Sequence, residues 1–225
     1  STLLNIISGL NDPLEGNVSL DTHDLHREYP IMKDYLGYVP QDDLLLPNLT
    51  VYENLYYYAK LRFPYKTKEE LSAQIEIVLK DIGLAAKQDT RVGHPVDKKL
   101  SGGERKRLNI GMELLVNAEV FLLDEPTSGL SSKDSEKILE LLANISLRGK
   151  IVLCVIHQPS SKLYKKFNKL ILLDKGGKMA FFGDTFDALH YFKAHMEGVA
   201  SDEEVQVECP HCKAVQPELL LDSLE

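Results

Sequence analysis

The sequence predicts an α/β fold, a mostly parallel sheet flanked by helices, from three observations. Val120 to Leu123 is a short apolar run that ends abruptly in Asp124-Glu125, which suits a buried parallel strand. Ile151 to Ile156 is a second such run, and an amphipathic helix with Ile138, Leu141, Leu142 and Ile145 on one face lies between the two. Before the first run, Ser101 and Glu104 form a capping box, and Leu108, Met112 and Leu115 recur at helical spacing behind it.

Each element follows in chain order. Ser1 to Leu10 is a helix by the spacing of Leu3, Ile6, Ile7 and Leu10. Val18-Ser19-Leu20 and Leu36 to Val39 are short strands, the second ending in Pro40-Gln41. Thr50 and Glu53 cap a helix with Val51, Leu55 and Ala59 on one face. Its Tyr56-Tyr57-Tyr58 run cannot all point one way, so at least one ring is exposed. Lys68 to Leu84 is a helix with Leu71, Ile75, Val78, Leu79 and Ile82 inward and Gly83 at its end. Thr90 to Lys99 is a polar connector, and Gly149 stops the helix Asp134 to Leu147. Leu170 to Asp174 and Lys178 to Phe182 form a hairpin around Gly176-Gly177. Thr185 to Met196 is a helix with Phe186, Leu189 and Phe192 or Lys193 inward, and residues 219–224 suit a short last helix.

Composition narrows the function classes. The 225 residues are 44% hydrophobic, enough for a true core. With 26 basic against 34 acidic residues the net charge is −8, which argues against a nucleic-acid surface. No apolar run approaches the ~20 residues that span a bilayer, and no signal peptide is expected. Three cysteines make no disulfide framework, so a reducing interior is expected.

Two stretches carry chemistry. Gly102 and Gly103 follow the Ser101 cap, and a helix start stripped of side chains, with free N–H groups and the positive end of the dipole, suits an anion. Asp124 and Glu125 close a strand at the carboxyl edge where α/β sheets bind ligands. Two carboxylates there can divide the work, one holding Mg²⁺ and one activating a water.

About twenty residues separate LSGGERKR from LLDEPTSGL, and together they resemble the signature motif, Walker B and D-loop of ATP-binding cassette (ABC) ATPases. IHQPS at 156–160, with RKRLNIGMELL, resembles the G subfamily. The resemblance implies a P-loop NTPase-type sheet, a helical signature lobe inserted at about residues 49–116, and a remnant antiparallel β region. It implies an ATPase domain over residues 1–198 that lacks its first strands and P-loop, followed by an acidic CxxC extension over 199–225. Ser1-Thr2-Leu3-Leu4-Asn5 matches the residues after a P-loop lysine, so Ser1 is expected to bind Mg²⁺ with Thr2 beside it. Gln41 matches the Q-loop glutamine, expected on Mg²⁺ and water. His157 matches the switch histidine at the γ-phosphate, Asp124 the Mg²⁺ carboxylate, and Glu125 the residue that polarises water. Ser101, Gly102, Gly103 and Glu104 would face the ATP of a second copy. Ser131 stands where most of the family has Asp.

The implied function is ATP binding and hydrolysis that power an exporter at the cytoplasmic face of the membrane. A second ABC domain would dock head to tail, and a transmembrane permease domain, typically of the same chain, would be the other partner. The rivals are a soluble ABC-type ATPase and a fragment unable to use nucleotide, because the P-loop lysine is absent from these 225 residues; such a chain is expected to be inactive alone. Nucleic acid is not an expected partner. From residue 197 the texture turns acidic, and Cys209-Pro210-His211-Cys212 follows with the spacing of half a zinc site. Zn²⁺ at Cys209 and Cys212, a reducible disulfide, and an empty remnant are all open readings.

Overall fold

The computed structural model describes residues 2–94, 99–198 and 206–222. Ser1, residues 199–205, which hold the acidic stretch, and 223–225 lie outside the described residues. The chain forms two compact units, residues 1–156 and 157–225.

The first unit is built on a three-stranded parallel sheet in the order β3 (Leu36–Val39), β4 (Val120–Asp124), β5 (Ile151–Val155). The register aligns Val39, Leu123 and Cys154, and sets Asp124 opposite Val155. β4 is paired on both edges, and all five of its residues are buried. β5 differs from the expected buried strand. It is paired on one edge only among the described residues, Ile151 is 57% exposed, and the remaining residues are half-buried. An apolar run reports that a strand belongs in a core, not whether its outer edge is covered.

Helix α1 (Thr2–Ile7) packs Leu4 against Val120 and Leu122. The expected face was wrong by one residue: Leu3 is 41% and Leu10 56% exposed, while Leu4 is buried. The Tyr38 hydroxyl donates to Asn5 Oδ1 at 3.0 Å, tying α1 to β3. A small antiparallel pair, β1 (Ser19–Leu20) and β2 (His23–Asp24), and a short helix α2 (Tyr29–Met32) precede β3.

Three helices, α3 (Val51–Arg62), α4 (Lys68–Asp81) and α5 (Gly102–Leu115), pack on one another. Each starts with a complete capping box, at Thr50/Glu53, Thr67/Glu70 and Ser101/Glu104, which satisfies two otherwise orphan donors per helix. Val51, Leu55 and Ala59 of α3 and Leu71, Ile75, Val78 and Leu79 of α4 are buried. Of the tyrosine run, Tyr57 is 50% exposed, whereas Tyr58 donates to Glu113 at 2.7 Å. Gly83, at φ +67, takes the chain out of α4 in the left-handed conformation that glycine tolerates. Helix α6 (Ser132–Leu147) crosses from β4 to β5, with Ile138, Leu141, Leu142 and Ile145 inward. Arg148 and Asp81 pair through two hydrogen bonds of 2.5 and 3.0 Å, joining the ends of α6 and α4.

The second unit holds a short helix α7 (Ser161–Tyr164), the hairpin β6 (Lys169–Leu173) and β7 (Met179–Asp184), helix α8 (Thr185–Glu197) and a final turn α9 (Glu218–Asp222). Asp174 Oδ1 accepts from the N–H groups of Gly176 and Lys178, both at 2.8 Å, and so closes the hairpin. Its core joins Tyr164, Leu172, Leu189, Phe192, Val215 and Leu220. Phe192, not Lys193, is the inward residue of α8.

Candidate functional site

β4 delivers Asp124 to the carboxyl edge of the sheet at 6% exposure, and Glu125 follows it. Glu125 has φ +45, a backbone conformation that costs a non-glycine residue about 1–2 kcal/mol. Its N–H donates to Val155 O at 3.1 Å, so the end of β5 braces the strained turn. Its carboxylate accepts a hydrogen bond from Gln41 Nε2 at 2.9 Å. The expected neighbours Gln41 and Glu125 therefore meet at the end of β4, 84 residues apart in sequence.

Lys106 completes this cluster. Its side chain is 8% exposed, and Nζ donates to Pro40 O at 3.1 Å and Gln41 O at 2.7 Å. Burial pulls the ammonium below the ordinary lysine range, while Asp43, Asp42, Asp124 and Glu125 act the other way. Arg105 beside it grips Asp43 through paired 2.8 Å bonds and donates to Gly93 O at 2.8 Å. Both lysine and arginine anchor the segment that carries Gln41. The sequence reading missed them; the usable signal was an acid pair, Asp42-Asp43, directly after Gln41, and a basic pair, Arg105-Lys106, on the capped helix.

At the start of α5, Ser101 and Gly102 are exposed, and the Ser101–Glu104 box is formed at 3.2 and 2.9 Å. Burial raises the Glu104 carboxyl, but the Lys87 ammonium at 2.7 Å and the Ser101 N–H outweigh it and hold it below the usual range. The glycines do more than clear space for a ligand. Gly103 is buried, and a Cβ there would stand 2.6 Å from Asp134 Cγ; at Gly102 it would stand 3.0 Å from Leu130 Cδ2. Both glycines thus let the segment around Ser131 pack on the helix start. Ser131 caps α6 by accepting from the Asp134 N–H at 3.2 Å, and its hydroxyl donates to Asp134 Oδ2 at 2.9 Å. Asp134 also lies 4.0 Å from Arg107 Nη1.

Thr2 is exposed at the start of α1, and Ser1 lies outside the described residues. His157 is exposed and opens the second unit, two residues past β5; Gln158 after it has φ +42. A cavity of about 390 Å³, lined by Gln74, Asp81, Phe121 and Arg148 among others, includes none of the expected site residues.

The zinc reading is not supported. Among the described residues, no group of three or more His, Cys, Asp or Glu could hold a metal, so Cys209 and Cys212 supply two donors where a closed zinc site takes four. Both are free thiols, as is Cys154. Among the described residues, no helix is long and apolar enough to cross a membrane.

The sequence profile described as ABC transporter matches residues 1–128, and one described as ABC-2 type transporter matches residues 157–206. ABC transporter G family member 26 of Arabidopsis thaliana is 42% identical over 196 residues, covering 86% of this chain and 28% of the relative. The broad substrate specificity ATP-binding cassette transporter ABCG2 of Mus musculus is 39% identical over 195 residues, covering 85% of this chain and 29% of the relative. The chain thus spans under a third of the length of these relatives. By these matches, the chain belongs to the ABC transporter family, as a nucleotide-binding domain of its G subfamily.

Proposed function

We propose that this chain is the ATP-hydrolysing domain of a membrane exporter, working at the cytoplasmic face and docking head to tail with a second copy. The observation that carries the proposal is the 2.9 Å hydrogen bond from Gln41 to Glu125, set beside buried Asp124 at the end of β4. Oxygen donors from Asp124 and the Gln41 amide suit Mg²⁺, which takes few protein ligands and keeps the rest for water and phosphate. When bound, Mg²⁺ neutralises charge on the transferred phosphate. Glu125, aimed out of the strand by its positive φ, accepts the proton of the attacking water. Gln41 holds that carboxylate in place and orients the water. His157 would serve the γ-phosphate, and Ser1 and Thr2 would help to hold the Mg²⁺. Exposed Ser101 and Gly102 present a capped helix start to the ATP of the partner copy, with Gly103 and Glu104 shaping it from behind. Ser131 meets the same seam.

The match of residues 157–206 to an ABC-2 type transporter profile supports a membrane domain as partner. The 225 residues contain no Gly-Lys-Ser/Thr loop, so this stretch alone turns over ATP negligibly. In the full-length protein, Glu125→Gln retains ATP binding and lowers hydrolysis by about 10²–10⁴-fold. Steady-state phosphate release together with nucleotide binding measures both. Wild-type turnover in that variant removes Glu125 as the base and the proposal with it.

A further inference from the structure

The Cys209–Cys212 turn shares no residue with the proposed nucleotide site and is held by hydrogen bonds of its own. Lys213 N donates to Cys209 O at 2.9 Å and Cys209 N to Ala214 O at 2.8 Å, with Lys213 leaving the turn at φ +57. Its two flanks are anchored. Lys165 Nζ pairs with Glu208 at 2.6 Å and also donates to Lys213 O, and Val215, buried in the core of the unit, donates to Ser161 Oγ at 2.8 Å. Between these anchors, Cys209 is half-buried and Cys212 is exposed.

A helical-type turn sets residues i and i+3 with Cβ atoms about 5–6 Å apart. A disulfide needs about 3.5–4.5 Å, a small closure for an open tip. Backbone N–H groups of Cys212 and His211 point at the Cys209 sulfur, joined by the Cys212 thiol, and they hold Cys209 below the ordinary thiol range. Cys154 is the opposite case: burial on β5 pushes its thiol up to about 12.

We propose that Cys209 and Cys212 form a thiol–disulfide exchange site, with Cys209 the attacking thiolate, Cys212 the resolving thiol, and a glutathione-type small-molecule disulfide the oxidant. Cys209 Sγ attacks one sulfur of the oxidised glutathione, the glutathione S–S bond breaks, and one glutathione thiolate leaves. The Cys212 thiol gives up its proton, its thiolate attacks Cys209 Sγ, and the second glutathione departs. The chain loses two electrons and two protons, and one oxidised glutathione becomes two reduced ones. Among the described residues the two donors have no third in reach, which favours this chemistry over a metal. It is independent of the nucleotide reading, since neither cysteine belongs to that site.

The test uses the 225-residue chain, reduced, then exposed to oxidised glutathione, alkylated in denaturant and mapped by mass spectrometry. The expected result is a Cys209–Cys212 disulfide, with Cys154 fully alkylated. Cys212→Ser accumulates glutathione on Cys209, and Cys209→Ser reacts about tenfold more slowly at Cys212 for want of the favoured thiolate. The proposal is overturned if Cys154 oxidises as readily, if the two variants react at equal rates, or if freshly reduced protein carries stoichiometric zinc that shields both thiols.

Discussion

Gly103 and Asp134 occupy one another's space: a Cβ on the glycine would stand 2.6 Å from the carboxyl carbon of the aspartate. The aspartate is fixed there by the Ser131 hydroxyl at 2.9 Å and by Arg107 Nη1 at 4.0 Å. The exposed start of α5 is therefore shaped from inside the chain as well as by any ligand outside it.

Gly103→Ala is expected to destabilise the fold by about 1–3 kcal/mol, the usual cost of forcing atoms into a filled space. Gly102→Ala, which meets only the movable tip of Leu130, stays within about 0.5 kcal/mol. Pairing Gly103→Ala with Asp134→Gly, which removes the whole facing side chain, recovers part of the loss, giving an interaction energy of about 1 kcal/mol in a double-mutant cycle. Urea unfolding of the wild type, the three single variants and the double variant reads all of these, and strict additivity would contradict the contact.

Gln41→Glu places a second carboxylate against Glu125. The two like charges repel and the amide donor is gone, so ATP hydrolysis in the full-length protein falls further than in Gln41→Ala, which removes the amide without adding charge. Steady-state phosphate release compares the two, and equal rates would separate Gln41 from Glu125 in function.

Asp43 gives a stability signature at low pH. Burial raises its carboxyl, but the twin bonds from Arg105 outweigh that, and the net position is below the ordinary carboxylate range. Because the folded value is depressed, the stabilisation is complete above the unfolded pKa of about 3.9. It is lost as pH falls through the lower folded value. Asp43→Asn is expected to cost about 1 kcal/mol at neutral pH, toward the low end for a charged pair because Asp43 keeps 26% of its side chain in water. The variant also shows a flatter fall in melting temperature between about pH 5 and pH 3. An unchanged acid limb would assign the pair no role in stability.

The sequence displayed some of this plainly. Each capping box that it suggested, at Thr50 and Ser101, forms in full, because Ser or Thr with Glu three residues on is a local device that needs no tertiary partner. The β4 run also read correctly, since four apolar residues ended by two acids have few other homes. What stayed hidden depends on partners far along the chain. Arg105, Lys106 and Arg107 are all at most 8% exposed, and their hydrogen bonds run to Asp43, Pro40, Gln41 and Ile82, which lie 25 to 66 residues away. The exposure of β5 and the choice between Leu3 and Leu4 were hidden for the same reason: each depends on what covers a surface, not on the run of side chains itself.

Those three buried cations have a mechanical consequence. Each is hooked to a different stretch of backbone or carboxylate, so α5 cannot slide or roll without tugging the loop that holds the Gln41 amide on Glu125. Lys106 in this way ties the helix that begins at exposed Ser101 to the stretch that sets where the Gln41 amide points.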